Sequence, residues 1–286
     1  MHAEFLAAVS VMTLLTLLAY RLGARCILHR PSADTRVFLG VISGAFLFAW
    51  GYFGRLMWAE RMPVSTAIYW SNLTPILLGF AAGLAGHAVC MRSWFRPIMS
   101  ATLMLLAIGY LYTPIARPVL FPLQVDSRSQ WEDRICLQTH ESSCAPAAAV
   151  TLLMHHGIQS SESDLAAMCL TSAMGTEPLA LYHGLADMAA MHGHQARVAD
   201  SNPAHWRRLG QLPNVALVEL DALPGDTTFR GFFGRAGVGH AIAILGRTDN
   251  GQWLIGDPAV GRVFWTDEQL RERFTGDAIF LRPAVR

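Results

Sequence analysis

Four side chains in this sequence have the types and the order that attack on an acyl carbon by sulfur would require. Cys144 opens the apolar, alanine-rich run Cys144-Ala-Pro-Ala-Ala-Ala-Val, where a helix is expected to begin. A free thiol titrates near 8.5. A helix N-terminus and a nearby imidazolium lower that value into the range where the nucleophilic thiolate dominates. Gln138 stands six residues earlier. Its amide could donate to a developing oxyanion beside the backbone N–H of Cys144, a contact whose loss typically costs on the order of 100- to 1,000-fold in rate. His240 follows Gly239 and opens the strand His240-Ala-Ile-Ala-Ile. Its ring can face a cleft and act as base and then acid, while Ile242 and Ile244 alternate into a core. Asp257 ends a strand at Leu254-Ile-Gly-Asp257-Pro. It lies across one hairpin from His240, so it can hold the imidazole in the productive tautomer.

The chain has 5 cysteines and 11 histidines, so no one of these residues carries the reading alone. The pairs His155/His156 and His192/His194 sit beside Gly157 and Gly193. With no cysteine or acid at ligand spacing, they read as surface histidines near helix C-termini. No metal and no cofactor is expected. The glycine-rich run Gly231-Phe-Phe-Gly-Arg-Ala-Gly237-Val-Gly239 leads into a strand, which makes it a poor phosphate cradle. It reads as a mobile loop over the cleft, with Phe232 and Phe233 as candidate substrate contacts. Nothing resembles the basic patch that nucleic-acid binding needs.

The elements that must position these residues form a soluble domain in the C-terminal part. Residues 117–135 read as a linker kept extended by Pro118 and Pro122. The domain proper spans 136–286. A helix is expected from Cys144 to Gly157, with Pro146 in its first turn, where a missing N–H costs little. A second follows Ser161, with Asp164 reaching back, and a third runs from Thr176-Glu-Pro to Met191. Short strands follow at Val215–Leu220, Val238–Leu245, Trp253–Gly256 and Arg262–Trp265, with Asp249-Asn-Gly251 as a hairpin turn. A helix over 267–274, capped by Thr266 with Gln269 three residues on, precedes a closing strand over 277–282. Helices followed by an antiparallel sheet make an α+β domain with a cleft between two lobes.

The N-terminal part has a different composition. Residues 1–120 hold only three acids, Glu4, Asp34 and Glu60, against nine arginines, whereas the rest of the chain nets −5. Apolar stretches at 5–22, 37–54, 65–90 and 98–116 are each near the ~20 residues that cross a bilayer. The expected architecture is therefore a four-span membrane domain over 1–116 followed by the α+β domain. Arg21, Arg25, Arg30, Arg36, Arg92 and Arg96 flank one side of these spans, and Arg55, Arg61 and Arg117 the other. The positive-inside rule then puts both termini outside the cytoplasm. Asn72-Leu-Thr74 matches a glycosylation sequon but lies within an expected span.

Taken jointly, the motifs resemble one known family. Gln138 with Cys144-Ala-Pro-Ala, Gly175-Thr-Glu-Pro-Leu, Gly239-His240-Ala-Ile-Ala-Ile-Leu, Gly256-Asp257-Pro-Ala-Val-Gly261 and Phe264-Trp-Thr-Asp-Glu-Gln-Leu are similar to the bacteriocin-processing double-glycine peptidases. These are papain-like cysteine peptidases often fused to peptide exporters. The resemblance covers about residues 132–283. It implies a papain-like fold, a Cys144–His240–Asp257 triad with Gln138 in the oxyanion hole, and a bacterial setting. It also implies a peptide or leader-peptide substrate cut after a Gly-Gly-like pair, and an exporter as candidate partner beside the lipid bilayer. Two departures stand out. The family usually has Asp-Cys-Gly where this chain has Ser143-Cys144-Ala145, and the family domain usually precedes an exporter and faces the cytoplasm. A papain-like site can also pass its acyl group to an amine, giving a transpeptidase, and a non-catalytic leader-docking module is the reading from another class. In an oxidising compartment Cys136 and Cys169 could pair as a disulfide; a reducing one would leave both as thiols.

Overall fold

The structure, a computed structural model, describes residues 2–29, 34–88, 91–221 and 237–284. The expected loop over the cleft, including Phe232 and Phe233, lies outside the described residues. The chain divides into two units: Met1–Arg55 with Thr66–Ala116, and Leu56–Ser65 with Arg117–Arg286.

The apolar runs of the first part form helices. In chain order these are α1 (His2–His29), α2 (Asp34–Gly51), α3 (Met57–Arg61), α4 (Ala67–Trp70), α5 (Thr74–His87) and α6 (Phe95–Leu120). α3 belongs to the second unit. α1 and α5 approach closely because glycines remove the side chains between them. A Cβ on Gly83 would lie 2.0 Å from Tyr20 O, and one on Gly23 would lie 2.2 Å from Phe80 O. Such small-residue contacts are how apolar helices pack backbone to backbone. The outward face of α1 exposes Leu14, Leu17, Leu18 and Leu22.

Among the described residues, three apolar helical stretches are long enough to cross a bilayer: Leu6–Cys26, Ala67–His87 and Phe95–Leu120. The expected second span falls short, because its apolar helix runs only over Thr35–Gly51. The expected third span is interrupted between α4 and α5, where Pro75 starts a new helix in its first turn. Asn72 in that break is buried, and its Nδ2 donates to Tyr110 O at 3.3 Å. Pro114, four residues after Tyr110, has no N–H to give to that carbonyl, and Asn72 supplies a donor in its place.

The second unit takes in more chain than 136–286. α6 stays helical through Pro118 and stops at Leu120, so the stretch expected to be an extended linker begins as helix. Phe121, the residue before Pro122, lies outside that helix, as the steric clash of a pre-proline residue favours. Arg117 pairs with Glu177, the residue that precedes α9 (Pro178–Met191). Residues 130–132 form β1 (Gln130–Glu132), paired with β2 (Ile135–Leu137). Leu56 and Ala59 are buried, and α3 packs on α9 and on β3 (His194–Val198). Ser65 O lies 2.9 Å from His183 Nδ1.

Helices α7 (Cys144–His155), α8 (Glu162–Met168) and α9 (Pro178–Met191) come next. β3 (His194–Val198) and α10 (Trp206–Leu209) follow, then β4 (Asn214–Asp221), β5 (Gly237–Arg247), β6 (Trp253–Asp257), β7 (Gly261–Trp265), α11 (Asp267–Arg273) and β8 (Phe274–Pro283). One antiparallel six-stranded sheet has the order β3-β8-β4-β5-β6-β7. α7 packs on β5, and its buried Ala147, Ala148 and Ala149 keep that approach short. A separate cluster around buried Trp206, Trp253, Ile242 and Ile244 forms the main sheet core. The expected caps are present. Ser161 accepts from Asp164 N, and Thr266 forms a reciprocal capping box with Gln269.

Cys136 and Cys169 do not pair; both are free thiols. The fold sends them to different neighbours. Cys136 lies in β2 with its N–H on Thr151 Oγ1, whereas Cys169 ends α8 with its sulfur against Gly184 of α9. Burial, reinforced by the charge of Glu162, pushes the Cys136 thiol up to about 12.

Candidate active site

Cys144 is the first residue of α7, and Ser143 precedes it as the N-cap. The first N–H groups of a helix have no intrahelical acceptor, so the backbone at Cys144 offers donors beside its own thiol. Cys144 is half-buried.

His240 lies near the start of β5, where it pairs with Val218 of β4. Asp257 is the last residue of β6, one strand over. The hairpin register puts Ala243 opposite Gly256, which brings Asp257 diagonally beside His240. The two side chains meet: His240 Nε2 lies 2.8 Å from Asp257 Oδ1. The same oxygen accepts the Ala259 N–H at 2.9 Å, so the carboxylate is held from its own turn as well. Both side chains are almost closed to solvent, at 10% and 9% exposure.

Cys144 acts electrostatically on the same imidazole. Burial alone would lower the His240 pKa. The bonds and charges of Asp257 and Cys144 outweigh it and raise the value from 6.5 to about 9. His240 is therefore a cation at neutral pH, facing a thiol at a helix N-terminus.

The chain is similar to double-glycine peptidase domains. One is the peptidase domain of Streptococcus ComA, described as a bi-functional ABC transporter involved in a quorum sensing pathway. It is 25% identical, with 51% of this chain and 96% of that chain covered and a TM-score of 0.39. Another is a double glycine motif protease from an AMS/PCAT transporter in complex with the leader peptide (18% identity, 57% and 99% covered, TM-score 0.41). A third is the N-terminal peptidase C39 like domain of a toxin secretion ATP-binding protein from Vibrio parahaemolyticus (13% identity, 49% and 97% covered, TM-score 0.35). No family model matches the chain, and no curated protein matches it.

Gln138 follows β2, and its backbone N–H donates to Pro258 O at 2.8 Å, next to Asp257. Its Nε2 donates to His140 O at 3.1 Å. An amide nitrogen carries two hydrogens, so this bond fixes the amide and leaves the second hydrogen for another acceptor. The contact with His140 was not visible in the spacing of Gln138 and Cys144, and neither was the turn that joins them. Ser143, fully buried, donates its hydroxyl to His140 O at 2.7 Å and accepts the His140 N–H at 3.1 Å. Ser143 N–H also donates to His140 O, at 3.0 Å. His140 O thus gathers Gln138, Ser143 and the start of α7 into one turn.

The two histidine pairs are not separate surface features. His156 is half-buried and its ring packs edge-on against His194, with centroids 5.5 Å apart. Burial, then the charges of His194 and His155, lowers the His156 pKa. Among the described residues no three metal-ligating side chains gather. A surface cavity of about 520 Å³ lined by Asn202, Arg247, Trp253, Asp267 and Arg271 contains none of the four candidate residues.

Proposed function

We propose that this chain is a membrane-anchored cysteine peptidase with Cys144, His240 and Asp257 as its triad and Gln138 as an oxyanion donor. The observation that carries the reading is the buried His240–Asp257 bond, on an imidazole whose pKa Cys144 also raises. Cys144 Sγ attacks the peptide carbonyl carbon, and the carbonyl electron pair moves onto oxygen. That oxyanion takes hydrogen bonds from Gln138 Nε2 and the Cys144 backbone N–H. His240 passes its proton to the leaving amine as the C–N bond breaks, leaving a thioester on Cys144. His240 then removes a proton from water, the resulting hydroxide oxygen attacks the thioester, and the carboxylic product leaves as sulfur regains the pair.

The substrate we assign is a leader peptide cut after a Gly-Gly-like pair, on the strength of the motifs around Cys144, His240 and Asp257. The long apolar helices with outward-facing leucines support attachment to a bilayer. The arginine distribution supports a peptidase domain outside the cytoplasm of a bacterial inner membrane. The test compares wild-type and Cys144→Ala protein, full length in detergent micelles, on a fluorogenic peptide amide ending in Gly-Gly. Cleavage should occur in the wild type and be lost in Cys144→Ala. Equal cleavage by both overturns the assignment.

A further inference from the structure

We propose that Glu162 is a positioning residue that holds Gln138 in place for its oxyanion bond, an inference that rests on the peptidase reading above. Glu162 is fully buried. A buried carboxylate is tolerated only where hydrogen bonds replace its water, so its partners reveal what it organises. Both oxygens go to one residue. Oε1 accepts the Thr139 N–H at 3.0 Å, and Oε2 accepts the Thr139 hydroxyl at 2.8 Å. Thr139 is the residue after Gln138.

The surroundings make this clamp rigid. Glu162 N–H donates to Ser129 Oγ at 2.9 Å, and Thr139 Oγ1 also accepts the Asp126 N–H at 3.1 Å. Among the described residues Glu162 forms no ion pair. Its charge is therefore answered by Thr139. The short segment 138–140 is then held at three successive residues. Gln138 N–H goes to Pro258 O, Thr139 to Glu162, and His140 to Ser143. An oxyanion donor works only within a narrow distance of where charge develops, and a displacement of about 1 Å can cost ~100-fold. Two bonds on the neighbouring backbone and hydroxyl supply that restraint without Glu162 touching the substrate.

Two probes separate this role from a merely structural one, both used on the full chain in detergent micelles. A peptide aldehyde ending in Gly-Gly adds Cys144 sulfur to its carbonyl carbon and places negative charge on oxygen, so its binding needs the oxyanion donors. Iodoacetamide alkylates the thiolate with loss of iodide and develops no oxyanion. Glu162→Gln should weaken aldehyde inhibition by about tenfold or more. Alkylation of Cys144, read by mass spectrometry of its peptide, should stay within about twofold, since the thiolate and its imidazolium are untouched. Combined with Gln138→Ala, it should add nothing to the loss from Gln138→Ala alone. Thr139→Val removes the hydroxyl bond with little change of shape and should weaken the aldehyde in the same direction, which keeps the test alive if Glu162→Gln does not fold. Wild-type aldehyde affinity in Glu162→Gln or in a folded Thr139→Val, or losses that add to Gln138→Ala, overturn the inference while leaving the peptidase assignment standing. Failure of the wild type itself to form a Cys144-dependent adduct overturns the assignment and the inference together.

Discussion

Replacing Asp257 with Asn tests the charge balance at His240 directly. Burial opposes the imidazolium, and Asp257 and Cys144 together lift its pKa from 6.5 to about 9. A gap of about 2.5 units corresponds to roughly 3 kcal/mol. With 10% of the His240 side chain exposed, little of that is screened by solvent. In Asp257→Asn, burial acts against Cys144 alone, and His240 returns toward its ordinary value. A full return would cut the protonated fraction at pH 8 from roughly nine-tenths to roughly 3%, about 30-fold. The assay is the pH dependence of kcat/KM between pH 6 and 10 on the Gly-Gly peptide amide, since in the proposed mechanism the proton given to the leaving amine comes from His240. The wild type should keep activity up to an alkaline limb near pH 9, and Asp257→Asn should lose it one to two units lower. The same shift bears on folding, with a definite sign. Because the folded value lies above the unfolded one, the stabilisation is complete below about pH 6.5 and disappears as pH rises through about 9. An Asp257→Asn limb still at pH 9, however low the activity, would show that Asp257 acts only by orienting the ring and would refute the charge argument.

Gly184→Ala should destabilise the second unit, because a Cβ there would lie 2.4 Å from Cys169 Sγ and 2.8 Å from Cys169 N. Overpacking of this kind costs about 1–3 kcal/mol. Thermal unfolding should detect it, and Gly246→Ala, with nothing within 4 Å, should be close to neutral. Cys136 and Cys169 should resist iodoacetamide in the native protein and react fully once it is unfolded without reductant; recovery of a peptide linking the two would contradict the free, separated thiols.

The residues proposed for the chemistry each sit at an element boundary that the sequence marks with its own punctuation. Ser143 and Cys144 stand before an alanine run, Gly239 before a β-rich run, and Asp257 before a proline and a glycine turn. Strands β4, β5, β6 and β7 were readable from the same local signals, apolar or aromatic runs separated by turns. β3 was not, since His194-Gln-Ala-Arg-Val carries little alternation and is a strand because β8 pairs along its length. The linker was misjudged for a related reason. Pro118 argues locally for extended chain, yet α6 continues past it, and Arg117 pairs with a residue 60 positions away. The break at Asn72 in the third apolar run is likewise visible only once Tyr110 of α6 lies alongside. No pattern within 10–20 residues announces a partner that distant, and the same holds for Glu162 with Thr139 and for Leu56–Ser65 within the second unit.

The departure at Ser143 follows from the turn it closes. His140 presents two groups to residue 143, an N–H that needs an acceptor and a carbonyl that can take a donor. A hydroxyl meets both at once, accepting one bond and donating the other. An ionised aspartate could accept the N–H but could not donate to the carbonyl, and its charge would sit in a fully buried position directly before Cys144. Serine therefore closes the turn without adding a negative charge beside Cys144, the proposed nucleophile. The same carbonyl holds the Gln138 amide. Loss of the serine hydroxyl would consequently disturb the start of α7 and the Gln138 amide through one atom, which makes Ser143 part of how the proposed site is built.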